Sequence, residues 1–467
     1  MAIGTKARRR VLLVAAAAAV AALATLAFVR LPSGGGDERA ATVRSGADRS
    51  RAREAAPQPL RYDVEYPAIG YSTVTPENRV TRFAERLAAG EVRLDSGSPR
   101  EALARLLAAL EIGTSSQALV FSKTSLQTGG IDATTPRAIY FNDDTYVAWV
   151  QGTDAFEIAT MDPNLGPVFY TLGQDGDPRS LERQLGTCLR CHDSYSLTGG
   201  GVPRFIVGSG YTDADGRLVA HEGWILTSDR TPLKNRWGGW YVSGYHGTQV
   251  HLGNVIIRSF DDFERLDSLR VGNREDLDGL VDTSPYLTNR SDIVALMILE
   301  HQVHVQNAIT RVSWDVRDRL AEGGLDAGAS PAAAAQLAAT VEPLVEALFL
   351  AGEAPLTDRI RGTSGFAEEF QRRGPRDAQG RSLRDLDLER RLFKYPLSYL
   401  VYSDAFAALP EAAKGQVYRR MAEILGGEDD SGKYAHLSAA DRAAILEILR
   451  DTAPEIATAI AQRMEPV

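Results

Sequence analysis

Two cysteines occur in the 467-residue chain, three positions apart and followed at once by a histidine: Cys188-Leu189-Arg190-Cys191-His192. Within one helical turn, thiols at this spacing reach the two vinyl groups of a single porphyrin, and the adjacent imidazole then lies beneath the iron. C-x-x-C-H is the attachment signature of one covalent c-type haem, with His192 as the iron's proximal ligand. The competing reading of Cys188 and Cys191 is a thioredoxin-like dithiol, which expects a surrounding βαβ pattern absent here. A disulfide-stapled fold is excluded beyond one local pair.

The motif resembles that of the cytochrome c superfamily. In its small members, a glycine-bearing loop after the motif ends in a proline whose carbonyl holds the ligating imidazole. Thr198-Gly199-Gly200-Gly201-Val202-Pro203 follows at a similar distance. The resemblance implies that the Pro203 carbonyl accepts the Nδ1–H of His192, fixing the ring and tuning the iron. It covers only about Leu181 to Pro203. The stretches Pro136 to Asn142 and Arg236 to Tyr241 are similar to large, functionally unassigned bacterial proteins with one haem motif, which implies no activity.

A second axial ligand decides the class of chemistry: His or Met favours electron transfer, an open site favours ligand binding or oxygen chemistry. A small cytochrome c supplies Met some tens of residues downstream, whereas the next Met here is Met297. His301 and His304 follow Glu300 on a predicted helix, with Met297 and His301 on one face. His301 is the preferred iron ligand of this group. Glu300, His301 and His304 could instead hold a separate metal ion, or form a polar seam between helices. His246 and His251 lie in glycine-rich sequence that permits close backbone approach. His251 is the candidate distal ligand or distal-pocket group there. Arg236, ahead of Trp237 and Trp240, is read as a partner for a haem propionate beside aromatic packing, with an aromatic hairpin core as the alternative. His221 and His436 read as surface residues.

The elements that must position these groups fall into two textures. Ser98 to Glu101 is a capping box, and Thr75-Pro76 an N-cap with proline, so two helices are predicted between Pro76 and Ile112. Short β-branched and aromatic runs then begin at Ala118, Ala138, Tyr146, Phe156 and Val168. Asn142-Asp143-Asp144 and Asp162-Pro163-Asn164 supply turns, which predicts an antiparallel meander. Further strands are predicted at 205–207, 224–226, 240–242 and 255–257. Beyond Ser291, read as a cap, helices are predicted to Leu320, at 329–351, 383–408, 411–425 and 438–450. The fold class is α+β: a strand-rich haem-bearing region with flanking helices at 60–290, then an all-helical C-terminal region at 291–467.

Four cations at Lys6 and Arg8 to Arg10 precede an uncharged run of 19 residues, Val11 to Val29. As a helix it spans roughly 28 Å. Residues 1–30 are therefore read as an inner-membrane anchor, or a signal segment, with the bulk of the chain in the periplasm. Residues 31–59 read as a flexible linker. A net charge of −9 disfavours nucleic acid as a partner. No phosphate loop, HExxH or GxSxG motif occurs. The expected function is mono-haem electron transfer with a redox partner protein. The alternatives are a haem-dependent peroxidase or oxygenase and a haem-based sensor or interaction protein.

Overall fold

Strand-forming runs alternate with carboxamide and carboxylate turns between residues 118 and 173, and this alternation folds as expected. The computed structural model describes residues 65–94, 97–219, 223–323 and 330–464. Strands β1 (Ala118–Val120), β2 (Arg137–Phe141), β3 (Thr145–Trp149), β4 (Ala155–Asp162), β5 (Gly166–Gly173) and β6 (Glu182–Arg183) pair antiparallel in sequence order. The short pair β7 (Gly208–Ser209) and β8 (Ile225–Leu226) stands apart, and β9 (Trp240–Tyr241) adds to β1. The seven-stranded order is β6-β5-β4-β3-β2-β1-β9. The predicted strand at 255–257 contributes only an isolated bridge from Ile257 to Asp213.

Side chains close the turns. Asn142 Oδ1 accepts the Asp144 and Thr145 amides, a local bond that replaces a backbone turn. Asp162 Oδ1 does the same for Asn164 and Leu165, while its Oδ2 accepts the Glu77 amide at 2.8 Å and ties the turn to the first helix. That helix, α1 (Arg79–Ala88), is capped by Asn78 rather than Thr75, because Asn78 is extended and closes a capping box with Thr81. Ser98 caps α2 (Pro99–Ala109) as expected.

One sheet face is almost fully buried, with Tyr140, Val147, Phe156, Val168 and Leu172 at 0% exposure. The other face receives the longest helix, whose polar side chains reach the sheet. Tyr146 donates to Gln306 Oε1 and accepts from Gln302 Nε2. The motif helix α3 (Gly186–His192) precedes this helix, α4 (Ile293–Ala321). Asp292, not Ser291, caps α4: its Oδ1 accepts the Val294 and Ala295 amides. Ser291 is drawn into the sheet instead, donating to the Tyr241 carbonyl and accepting the Leu119 amide.

The longer C-terminal helices are α5 (Pro331–Leu348), α6 (Glu411–Gly426), α7 (Ala439–Thr452) and α8 (Pro454–Met464). Residues 59–467 form one compact unit, with α5 packed along α4. The helix expected at 383–408 is replaced by a loop with a Leu386–Phe393 bridge, a 3₁₀ turn at Tyr399–Tyr402 and a single helical turn at Asp404–Ala407. Asp387 takes the Glu389 and Arg390 amides and Leu388 has a φ of 57°, which breaks helical bonding. The fold is α+β, with a helical C-terminal region.

Among the described residues, no helix is long and apolar enough to cross a membrane. The expectation of a transmembrane helix, and with it a single-pass inner-membrane location, is corrected on that finding. The run 11–29 lies outside the described residues.

Gly166 makes the β4–β5 turn with a φ of 75°, and a Cβ there would stand 2.3 Å from Thr310 Cγ2 on α4. Gly166→Ala combines backbone strain with a clash and is expected to cost about 2–4 kcal/mol. Urea denaturation of the single variant and of G166A/T310A checks this. The second substitution should recover part of the loss.

Candidate functional site

The motif fills α3 from Cys188 to its end and is held from inside by Leu189, which is 4% exposed. Cys188 is half-buried against the core and Cys191 is exposed. His192 ends the helix and is clamped twice by one residue. Its carbonyl accepts the Arg204 amide at 2.9 Å, and its Nδ1 lies 2.7 Å from the Arg204 carbonyl. Nδ1 therefore carries the proton and Nε2 the lone pair, and among the described residues Nε2 has no hydrogen-bond partner. The accepting carbonyl belongs to Arg204 rather than Pro203, because the paired amide and carbonyl of residue 204 lie alongside His192.

Residue 204 is fixed in turn by α4. Asn307 Oδ1 accepts the Phe205 amide and its Nδ2 donates to the Phe205 carbonyl, both at 2.9 Å. The Phe169 ring of β5 packs on the His192 ring at 4.3 Å between centroids. Burial pushes the His192 pKa down to about 4, so the imidazole is neutral at pH 7. Burial likewise pushes the Cys188 thiol up to about 12. A thiol so raised is a poor thiolate, which counts against a redox dithiol.

Beside the motif the sheet is incompletely covered. Pairing aligns Ile139, Ala148, Glu157 and Thr171 across β2 to β5, with Tyr146, Ala159 and Phe169 in the next row. Ile139, Glu157 and Ala159 are half-buried although they stand on interior strands. Arg137 pairs with Glu157 at 3.2 Å, and Gln127 donates to the same carboxylate. One exposed and one half-buried thiol, a neutral imidazole with a free Nε2 and a partly uncovered strip of sheet form a donor set and surface that suit a covalently held porphyrin.

His301 and Arg236 belong to a different, buried cluster. His301 Nδ1 donates to Asp229 and its Nε2 accepts from Ser398 Oγ, both at 2.8 Å, so neither nitrogen is free for iron. Asp229 also accepts from His304 Nδ1 at 2.8 Å. Serine, imidazole and carboxylate stand in the order of a nucleophilic triad. Ser398 and His301 are both 0% exposed, however, so the arrangement is structural. Arg236 bonds Glu300, the Asp229 carbonyl and the Thr231 carbonyl, which commits its guanidinium to protein acceptors rather than a propionate. Burial outweighs the attraction of Arg236 and pushes Glu300 up to about 7. Burial acts on Asp229 in the same sense, but the bonds from His301 and His304 win and hold its carboxyl well below the usual range.

His251 packs by its ring on Trp237 and His246, near the β9 edge where Asn254 accepts and donates to Val242. Five strand spacings, roughly 24 Å, separate β9 from β5. His251 is thus not brought together with His192. Met297 is buried in α4. His436 Nε2 donates to the Phe349 carbonyl, and His221 lies outside the described residues. Among the described residues, no three His, Cys, Asp or Glu side chains converge on a metal-ion position. The metal-binding expectation, including a separate ion held by Glu300, His301 and His304, is corrected on that finding, and neither axial candidate, His301 or His251, is brought to His192. Sequence reasoning missed Arg204, Asp229, Asn307 and Ser398. The one available signal was the spacing of Glu300, His304, Asn307 and Arg311, which lines four polar side chains along one side of the helix.

Asp229→Asn removes the carboxylate that bridges two imidazoles and is expected to cost about 3–5 kcal/mol at pH 7. With a folded pKa below the unfolded value near 4, the wild-type contribution is full above about pH 4 and drains as pH falls below it. Denaturation midpoints measured from pH 7 to pH 3 should fall more steeply in the wild type than in D229N. No family model, curated protein or solved structure matches the chain.

Proposed function

We propose that the chain is a mono-haem c-type cytochrome acting in electron transfer, with one haem c bonded to Cys188 and Cys191 and ligated by His192. The observation that carries this reading is the fixed His192 ring. Its Nδ1 is tied to a backbone carbonyl while Nε2 stays unpartnered beside two free thiols on one helix. When bound, haem c supplies one-electron chemistry at its iron. Each thiol would form one thioether, Cys188 on the buried side and Cys191 at the surface. The Arg204 carbonyl holds the Nδ1 proton, which sets ring orientation and raises the basicity of Nε2. Phe169 and the sheet keep water from the imidazole. Cys191 is exposed, so the group it would hold would lie within reach of a redox partner protein.

A second reading, chemistry on an exogenous ligand, is favoured by one observation. The two sequence candidates for the sixth position are committed elsewhere, His301 through both nitrogens and His251 at the far sheet edge.

Expression in cells that carry c-type haem attachment machinery tests the proposal. The wild type should gain the mass of one haem and a Soret band, C188A and C191A should each lose one thioether, and H192A should lose the axial nitrogen signature. A wild type with polypeptide mass alone overturns the haem. Carbon monoxide binding by the ferrous form separates the two readings: none supports two strong axial ligands, and binding supports the open site.

A further inference from the structure

Arg204 is the residue whose backbone clamps His192, and its side chain is anomalous. The residue is half-buried, yet among the described residues its guanidinium has no hydrogen bond and no ion pair, and its Nε is buried without a partner. A guanidinium nitrogen withdrawn from water normally recovers an acceptor from protein; the Arg204 Nε has none, and only the outer edge of the half-buried group is left to solvent. The groups around it do not supply one. Arg311 on α4 is a second cation, itself spent on the Gly200 carbonyl at 2.7 Å and on Asp315 at 3.6 Å. Asp193, next after the motif, has a buried Oδ1 with no hydrogen-bond partner. Asp193 and Asp315 attract Arg204 only from beyond ion-pairing distance, and burial with Arg311 repulsion pushes its pKa down.

The position of this cation points to its acceptor. The Arg204 carbonyl bonds the imidazole Nδ1 at 2.7 Å, so its side chain starts from the residue that holds the ligand a porphyrin would sit on. Haem c carries two carboxylates on that rim, and the arginine fork matches a carboxylate in a bidentate fashion. We infer that the Arg204 guanidinium holds a carboxylate of the porphyrin, so that one residue grips the axial ligand by its backbone and the cofactor by its side chain. This rests on the haem reading above.

R204Q and R204K, which leave the backbone clamp in place, test the inference in the full-length chain with and without haem. Without haem, R204Q should melt at or above the wild type, since it removes a cation that has no partner. With haem, R204Q should show a lower midpoint potential and a new pH dependence of that potential, as the released carboxylate titrates. R204K should fall between. If R204Q folds without haem but is no longer loaded, the guanidinium is needed for cofactor capture, which also supports the inference. An R204Q protein with wild-type potential and pH profile overturns it, as does equal destabilisation with and without haem. A wild type that takes up no haem overturns the underlying reading, and the inference with it.

Discussion

A helix buried along most of its length must find a partner for every polar side chain it carries, and α4 carries many. Burial without hydrogen bonding costs roughly 1–3 kcal/mol per group, so these side chains dictate what packs around them. Gln302 and Gln306 reach the carbonyls of Asn142 and Asp143 and the Tyr146 hydroxyl, fixing the helix against the β2–β3 turn. Tyr399 donates to Gln302 from the opposite side. Glu300, His301 and His304 gather Arg236, Asp229 and Ser398. Asn307 takes the backbone of Phe205. The motif helix is positioned at the end of this chain of obligations, through the residue next to Phe205.

The two histidine clusters illustrate how similar residues acquire different roles. His192 has one nitrogen tied and one open. His301 has both tied, and its carboxylate and hydroxyl partners are themselves enclosed. A buried carboxylate between two imidazoles keeps its charge because the hydrogen bonds it accepts outweigh its desolvation. At Glu300 the same burial outweighs its bond from Arg236 and leaves the carboxyl pushed upward. Geometry alone would place Ser398, His301 and Asp229 among catalytic triads; enclosure separates the resemblance from the chemistry.

Much of the sheet was legible in the sequence because β2 to β5 alternate with Asx-type turns that act locally. Asn142 and Asp162 did what their side chains favour anywhere. The motif helix was legible because cysteine occurs nowhere else. The cap of α4 was misread by one residue, since Ser291 and Asp292 are both capable caps and only the sheet's claim on Ser291 decides between them. The stretch 383–408 has helical composition but is held open by Asp387 and Leu388, a choice made by local side-chain bonding that periodicity does not register. The imidazole's carbonyl, the orphan arginine and the carboxylate between the histidines depend on contacts across 12 to 102 residues of chain, beyond any local pattern.

That last span has a consequence for biogenesis. The brace between Phe205 and Asn307 joins segments 102 residues apart. During synthesis the thiols and the imidazole emerge from the ribosome well before the asparagine that steadies their support. A partly made chain thus carries the motif before its support exists, and the ring is locked in orientation only after the long helix arrives.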